Sequence, residues 1–363
     1  MKKFLYQLII IINFAVIIPL LLSYLAIYVS PEKAGFISLL GLAYPYLLVL
    51  NLIFTFYWMY RKRWAFLYSL AVIALGWTFV SRTIQINFNN EIRIDGQKFS
   101  LISYNVRNFD KYNWSGDDDA PDKIARFISD ENADIVCLQE FASNNKTKIR
   151  HHPQLKKLTK KRNIHVEYAK NSAGRKTAGI ITITRFPIIN KGTIRFHDSN
   201  NITIYSDLKI NKDTVRVFNL HLQSVNIDPK EYSMLDSLDF SNREQNMKEA
   251  EDILGHLKTA FMIRAAQAEK VAAQIEKSPY PVIVCGDFND SPVSYAYQKI
   301  RGNLQDAFIE SGFGLSNTYR GKFPSVRIDY ILHSERIFSS DYKRSKIKLS
   351  DHYPIECEFA IKQ

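Results

Sequence analysis

The 363-residue chain carries 48 basic and 36 acidic residues, a formal net charge of +12, and 46% of its residues are hydrophobic. Its 3 cysteines, odd in number and without metal-type spacing, argue against a disulfide framework or a zinc site. The length allows more than one domain, and the positive excess fits a phosphate-bearing substrate or an anionic membrane face.

Residues 1 to about 82 hold almost all the long apolar runs, with seven basic residues and one acid, Glu32, a net +6. Phe4 to Val29 and Phe36 to Tyr60 carry no charge. About 25 residues make roughly 38 Å of helix, enough to cross a ~30 Å hydrocarbon core. Trp64 to Val80 is shorter, about 26 Å by the same rise, but uncharged with aromatic ends. Three transmembrane helices are expected, over about 4–29, 36–60 and 64–80. A cleaved signal peptide would have a shorter apolar stretch and no further spans behind it. Lys2-Lys3 and Arg61-Lys62-Arg63 mark the cytoplasmic side, so three crossings carry the rest of the chain to the extracytoplasmic side. With only two crossings it would stay in the cytoplasm.

Residues 83–97 read as a polar linker and a first hairpin turning at Asp95-Gly96, and 98–363 as a soluble α/β domain. Phe99–Tyr104 is a strand that ends at Asn105. Asp117–Asp119 and Pro121 open a helix whose apolar face is Ile124, Phe127 and Ile128. Asp134–Leu138 is a strand delivering Gln139-Glu140. The stretch from Asn144 to Arg162 is strongly basic, a solvated face or a polyanion contact. Strands follow at His165–Tyr168 and Ala178–Thr184, then a hairpin of Thr203–Ile210 and Thr214–Leu220 that delivers His221.

Ser224 to Asn242 lacks periodicity and reads as an insertion, and Arg243 to Glu276 as one or two helices. Pro281–Asp290 (PVIVCGDFND) is a buried strand closing in a polar turn. Asp287 and Asn289, two apart, share a face of an extended backbone. Tyr295–Ile300 is a short helix. Val326–Leu332 is a strand with Asp329 in its middle, and Ile355–Ala360 is the last strand, after a loop holding Asp351-His352. The polar residues cluster at strand exits, which makes a cleft of strand ends between two packed sheets. Hard oxygen donors without Cys-rich spacing favour Mg²⁺ or Mn²⁺ over zinc.

Asn105, Gln139-Glu140, Arg185-Phe186-Pro187, His221, Gly286-Asp287-Phe288-Asn289, Ile328-Asp329-Tyr330 and Ser350-Asp351-His352 occur in one order. That set resembles the endonuclease/exonuclease/phosphatase family over about residues 98 to 361. The resemblance implies a four-layer α/β sandwich, two mixed sheets flanked by helices, and metal-dependent hydrolysis of a phosphate ester. By matching position it implies that Glu140 holds the cation with Asn105 and Asp351 close by. Asp287 would orient or deprotonate water, and Asn289 would bind a phosphate oxygen. His352, fixed by Asp329, would contact the phosphate, and His221 would be the second histidine. Arg107 stands where repair nucleases of the family usually carry an acid, and between Glu140 and Ala178 no residue clearly matches their phosphate-facing tyrosine, Tyr168 being a candidate. Both departures weaken an abasic-site repair reading. A membrane-anchored phosphodiesterase is therefore expected, with nucleic acid favoured as substrate on the basic stretch. A phospholipid headgroup is the second reading, and a non-catalytic binding protein on the same fold the third.

Overall fold

The computed structural model describes residues 2–88, 97–110, 113–141, 159–160, 162–170, 176–197, 199–225, 243–321 and 326–362. The expected turn at Asp95-Gly96, nearly all of the basic stretch and most of the expected insertion lie outside these residues. The chain forms two compact units, Met1–Ile84 with Val225–Ala266 and Asp290–Lys299, and Gln85–Ser224 with Gln267–Asn289 and Ile300–Gln363.

In the first unit, α1 (Lys2–Ser23) and α2 (Gly35–Tyr60) belong to two apolar spans, Lys3–Ile27 and Gly35–Tyr60, each long enough to cross a membrane. Where one helix is expected over 64–80 there are two, α3 (Phe66–Leu75) and α4 (Trp77–Thr83), bent by 72°. The pair makes a third crossing only if it counts as a single broken span. The break sits at Gly76 and has a steric cause. A Cβ there would lie 2.2 Å from the Tyr24 ring. That ring stacks on Phe79 at 4.8 Å, and its hydroxyl donates to the Val72 carbonyl at 3.0 Å. Glycine admits the ring, and the tyrosine satisfies a carbonyl in the helix's last turn.

Polar side chains tie the apolar helices together. Trp58 Nε1 donates to Asn13 Oδ1 at 2.9 Å, and Asn13 Nδ2 donates to Ser69 Oγ at 2.8 Å, linking α1, α2 and α3. The segment Asp290–Lys299 belongs to the same unit. Val293 is buried with Leu20, Tyr44 and Phe79 in one apolar cluster. Ser291 Oγ donates to the Gly41 carbonyl at 3.3 Å, and Arg82 Nη1 donates to the Pro292 carbonyl at 3.4 Å.

The second unit is built on two six-stranded mixed sheets. One runs β13 (Ile337–Arg344), β14 (Ile355–Ile361), β2 (Lys98–Asn105), β3 (Ile135–Phe141), β5 (Lys176–Thr184), β4 (Asn163–Lys170). The other runs β10 (Gln305–Asp306), β12 (Asp329–His333), β9 (Val282–Asp287), β8 (Asp213–His221), β7 (Ile202–Ile210), β6 (Ile188–Arg195). Each sheet has a single parallel pair at its centre, β2 with β3 and β8 with β9; the other pairs are antiparallel. Phe99, Leu101, Ile135 and Cys137 of the first sheet pack with Val215, Val217, Ile283 and Cys285 of the second. The outer face of the first sheet is covered by the helix Ala120–Glu131 through Ile124, Ala125 and Ile128. The expected hairpin turns across Asn211-Lys212, with Ile210 opposite Asp213.

Strand β12 starts at Asp329, which puts that acid at a strand end rather than mid-strand. Thr318 Oγ1 explains the late start, because it accepts the Ile328 and Asp329 N–H groups, both at 3.0 Å. Gln139 and Asn219 form a polar pillar between the sheets. Gln139 Nε2 donates to Asn219 Oδ1 at 2.8 Å, and Asn219 Nδ2 donates to the Ile181 carbonyl at 2.9 Å.

Glu356, on β14, lies beside the Glu131 carboxyl, and burial followed by that neighbour's charge pushes it up to about 7. A carboxyl that holds its proton more tightly when folded contributes stability at low pH. The contribution is fully present below its unfolded value and is lost as pH rises through about 7. Glu356→Gln should therefore stabilise the fold by about 1–2 kcal/mol at about pH 8, after discount for partial exposure. Melting temperatures of variant and parent should converge near pH 4–5. A difference that does not change with pH would contradict this.

Candidate active site

The two parallel pairs decide what the site contains. Asn105 is paired with Gln139 at the ends of β2 and β3, and His221 with Asp287 at the ends of β8 and β9. Polar side chains at the carboxyl ends of neighbouring parallel strands converge by construction. Gly286 makes the last approach possible. It adopts φ +135°, and a Cβ there would meet the Leu220 carbonyl oxygen at 2.0 Å, so only glycine allows β9 to lie this close to β8. Glu140 and Asn289 are both in the left-handed region, at φ +48° and +53°. The Glu140 twist falls where β3 slips register against β5, between Leu138 and Phe141.

One atom gathers the neighbours. Asp287 Oδ2 accepts from Asn105 Nδ2 at 3.0 Å and from Asn289 Nδ2 at 3.1 Å. His352 Nε2 lies 3.6 Å away from it and His221 Nε2 3.7 Å. Its partner Oδ1 accepts the Asn289 N–H at 2.8 Å. His352 Nδ1 is 2.9 Å from Asp329 Oδ2, so Asp329, His352 and Asp287 form a chain of acid, imidazole and acid. Atoms of these three lie within 4.8 Å of one another. Because Nδ1 is committed to Asp329, the chain has the form of a proton relay rather than a bed of oxygen ligands.

Asp287 is buried, which pushes its pKa up to about 6 against the pull of the neighbouring His352. Burial opposes a charge on His352, yet the carboxylates of Asp329 and Asp287 hold its pKa well above the ordinary histidine value. His221 is shifted the other way, downward, by burial that outweighs the Asp287 charge. Its Nε2 is buried without a hydrogen bond among the described residues.

Asn105 bridges the two acids. Its Nδ2 also donates to Glu140 Oε1 at 3.3 Å, and its Oδ1 accepts the Arg107 N–H at 3.0 Å. The amide thus faces both carboxylates with its donor end. Asp351 is ion-paired to Arg107 at 3.0 Å and accepts from Ser350 Oγ at 3.2 Å. Glu140 has a raised pKa, from its recessed position first and from the Asp351 charge second. The Glu140 and Asp351 carboxylates are a donor set that suits a hard divalent cation.

All eight residues named from the sequence, Asn105, Glu140, His221, Asp287, Asn289, Asp329, Asp351 and His352, belong to this network. The supports were not evident in advance. Thr318 fixes the Asp329 backbone, Asn219 carries Gln139 from the opposite sheet, and Tyr319 sets its ring edge-on to His352 at 5.5 Å. Ser350 donates to the Asn105 carbonyl at 2.9 Å across a sequence separation of 245 residues. Its position next to Asp351-His352 is the only sequence clue to any of them.

A model described as "Endonuclease/Exonuclease/phosphatase family" matches residues 102–352, more than half of the chain. The chain belongs to this family. Among solved structures, an endonuclease/exonuclease/phosphatase family protein from Bacteroides thetaiotaomicron is similar, at 19% identity and TM-score 0.51 over 74% of this chain and 100% of that one. The endonuclease/exonuclease/phosphatase from Bacteroides vulgatus is 16% identical, with TM-score 0.51 over 73% and 100%. A functionally unknown conserved protein from Enterococcus faecalis V583 gives 16% and 0.51 over 72% and 100%. At these identities the likeness establishes the fold. Residues 6–83 match a separate family model, "Domain of unknown function (DUF8431)". No curated protein matched the sequence. Members of the endonuclease/exonuclease/phosphatase family are typically metal-dependent hydrolases of phosphate esters.

Proposed function

We propose that this family member is a membrane-anchored phosphodiesterase dependent on Mg²⁺ or Mn²⁺. The observation that carries the proposal is the Asp287 carboxylate, met at one oxygen by two amides and approached by two imidazoles. Glu140 and Asp351 would hold the cation, and Asn105 would set the spacing between Glu140 and Asp287. When bound, the cation supplies charge stabilisation to the phosphoryl oxygens.

Asp287 takes the proton of a water as its oxygen attacks phosphorus. Asn289 and His352 donate to the phosphoryl oxygens, where negative charge grows in the transition state. Asp329 keeps His352 oriented and charged. The ester P–O bond breaks, His221 donates a hydrogen bond to the leaving oxygen, and that oxygen takes its proton from solvent. Nucleic acid is the favoured substrate class, on the basic Asn144–Arg162 stretch. Cleavage of a phospholipid headgroup is the second reading, favoured by the two apolar spans that would keep the site near a bilayer.

The test is to purify the full chain in detergent and offer plasmid DNA, RNA and sphingomyelin with Mg²⁺ and with chelator. Hydrolysis of nucleic acid that chelator abolishes is the expected result. Lipid cleavage alone would move the proposal to the second reading, and no metal-dependent cleavage of any substrate would overturn it. The third crossing rests on α3 and α4 acting as one span, which would carry the catalytic unit to the extracytoplasmic side. An alkaline phosphatase fusion after Asn90 should then be active, and an inactive fusion would put the unit in the cytoplasm.

A further inference from the structure

Beside Asp351 lies a set of cations and aromatic rings that the proposed hydrolysis does not use. The Arg107 guanidinium is 5.2 Å from the centre of the Trp114 ring, and the Arg320 guanidinium is 4.7 Å from it. Arg320 also reaches Tyr353 at 5.9 Å, and Arg344 lies over the same ring at 4.3 Å. The Arg320 N–H donates to the Asp351 carbonyl at 2.8 Å, which fixes this group beside a candidate metal ligand.

The placement is held at a cost in backbone strain. Arg107, Asn108, Phe109 and Asp110 all have positive φ, from 43° to 56°, a left-handed turn that side-chain-bearing residues avoid. The Asp110 carboxylate secures it by accepting the Trp114 and Ser115 N–H groups at 2.9 and 3.0 Å.

The two arginines nearest the site differ. Arg107 is neutralised by Asp351 at 3.0 Å. Arg320 has no carboxylate partner among the described residues, and its Nη1 is buried without a hydrogen bond. A buried donor left unmade is costly, and a guanidinium is recovered best by an acceptor with paired oxygens, as in phosphate.

We infer that Arg320, steadied by Trp114, binds a second phosphate of the substrate, next to the one that is cleaved. The inference rests on the phosphodiesterase reading and narrows it. A chain of phosphodiesters, or a small diester that carries a further phosphate, satisfies this subsite. A phosphocholine headgroup, whose flanking group is a cation, is repelled by it.

The experiment measures kcat/KM of the full-length protein on three diesters: a short oligothymidylate, thymidine 3′-phosphate 5′-(p-nitrophenyl phosphate), which carries a second phosphate, and bis(p-nitrophenyl) phosphate, which has one phosphate. Arg320→Gln should lower the value for one of the first two at least about tenfold more than for the third, and Arg320→Lys should recover part of the loss. Which of the two responds identifies a strand or a small molecule. Equal losses on all three, or none, overturn the inference while leaving the phosphodiesterase reading intact. A parent protein that cleaves none of the three but hydrolyses sphingomyelin overturns the inference alone, and one that hydrolyses none of the four overturns both.

A measurement on the parent protein guards against a variant that fails to fold. Its kcat/KM for the responding class should fall more steeply with added salt than for the one-phosphate diester. Equal slopes overturn the inference.

Discussion

Asp287→Asn should reduce kcat by about 10²–10⁴-fold while the protein stays folded. The substitution is nearly isosteric, but it removes the only charge on the atom that gathers Asn105 and Asn289. An amide at that position cannot take a proton from water. It also turns one end into a donor, which would face the Asn105 and Asn289 amides, both already donating to this oxygen at 3.0 and 3.1 Å. The network must then rotate an amide or lose a hydrogen bond, so a small loss of stability, on the order of 1 kcal/mol, should accompany the large loss of rate. Single-turnover hydrolysis at saturating metal separates the two effects, since a folding defect changes the active fraction and a catalytic one changes the rate constant. Retention of more than a tenth of the parent rate by a folded variant would remove Asp287 from the role of base.

How far the site was legible in the sequence follows from how its residues are held. Asn105, Glu140, His221 and Asp287 each end an apolar run, and an apolar run that stops at a polar residue marks a strand end whatever the fold around it. Asp329 was readable as a residue but not as a strand end, because the hydroxyl that delays the strand belongs to Thr318 in a different segment. Strands β6 and β13 went unread for a different reason. Both are edge strands of their sheets, and their exposed residues, such as Asn190, Lys191, Asp341 and Lys343, blur the alternation that marks a strand. The break at Gly76 was hidden because the ring that occupies it comes from Tyr24, 52 residues earlier. Residue type and order thus carry the catalytic set, while the partners that aim it are tertiary facts.

Arg264→Met should cost the fold about 3–5 kcal/mol. Arg264 and Asp290 are both buried, and Arg264 Nε donates to Asp290 Oδ2 at 3.2 Å. Burial already pushes the Asp290 pKa up, and Arg264 is the group that pulls it back. Removing the guanidinium leaves a carboxyl that must either stay charged without its partner or take up a proton, and both are unfavourable near neutral pH. Methionine keeps most of the side-chain volume, so a cavity is not the cause of the expected loss. Replacing both partners, Arg264→Met with Asp290→Leu, should be less damaging than Arg264→Met alone, because no buried charge is then left over. Melting of the full chain in detergent is the measurement. Full length matters here, since a truncation without residues 1–84 would also strip Ser291, Pro292 and Val293 of Gly41, Arg82 and the apolar cluster around Tyr44. A double variant that melts below Arg264→Met would mean that the ion pair's geometry, rather than the unpaired charge, is what the fold requires at the residue following Asn289.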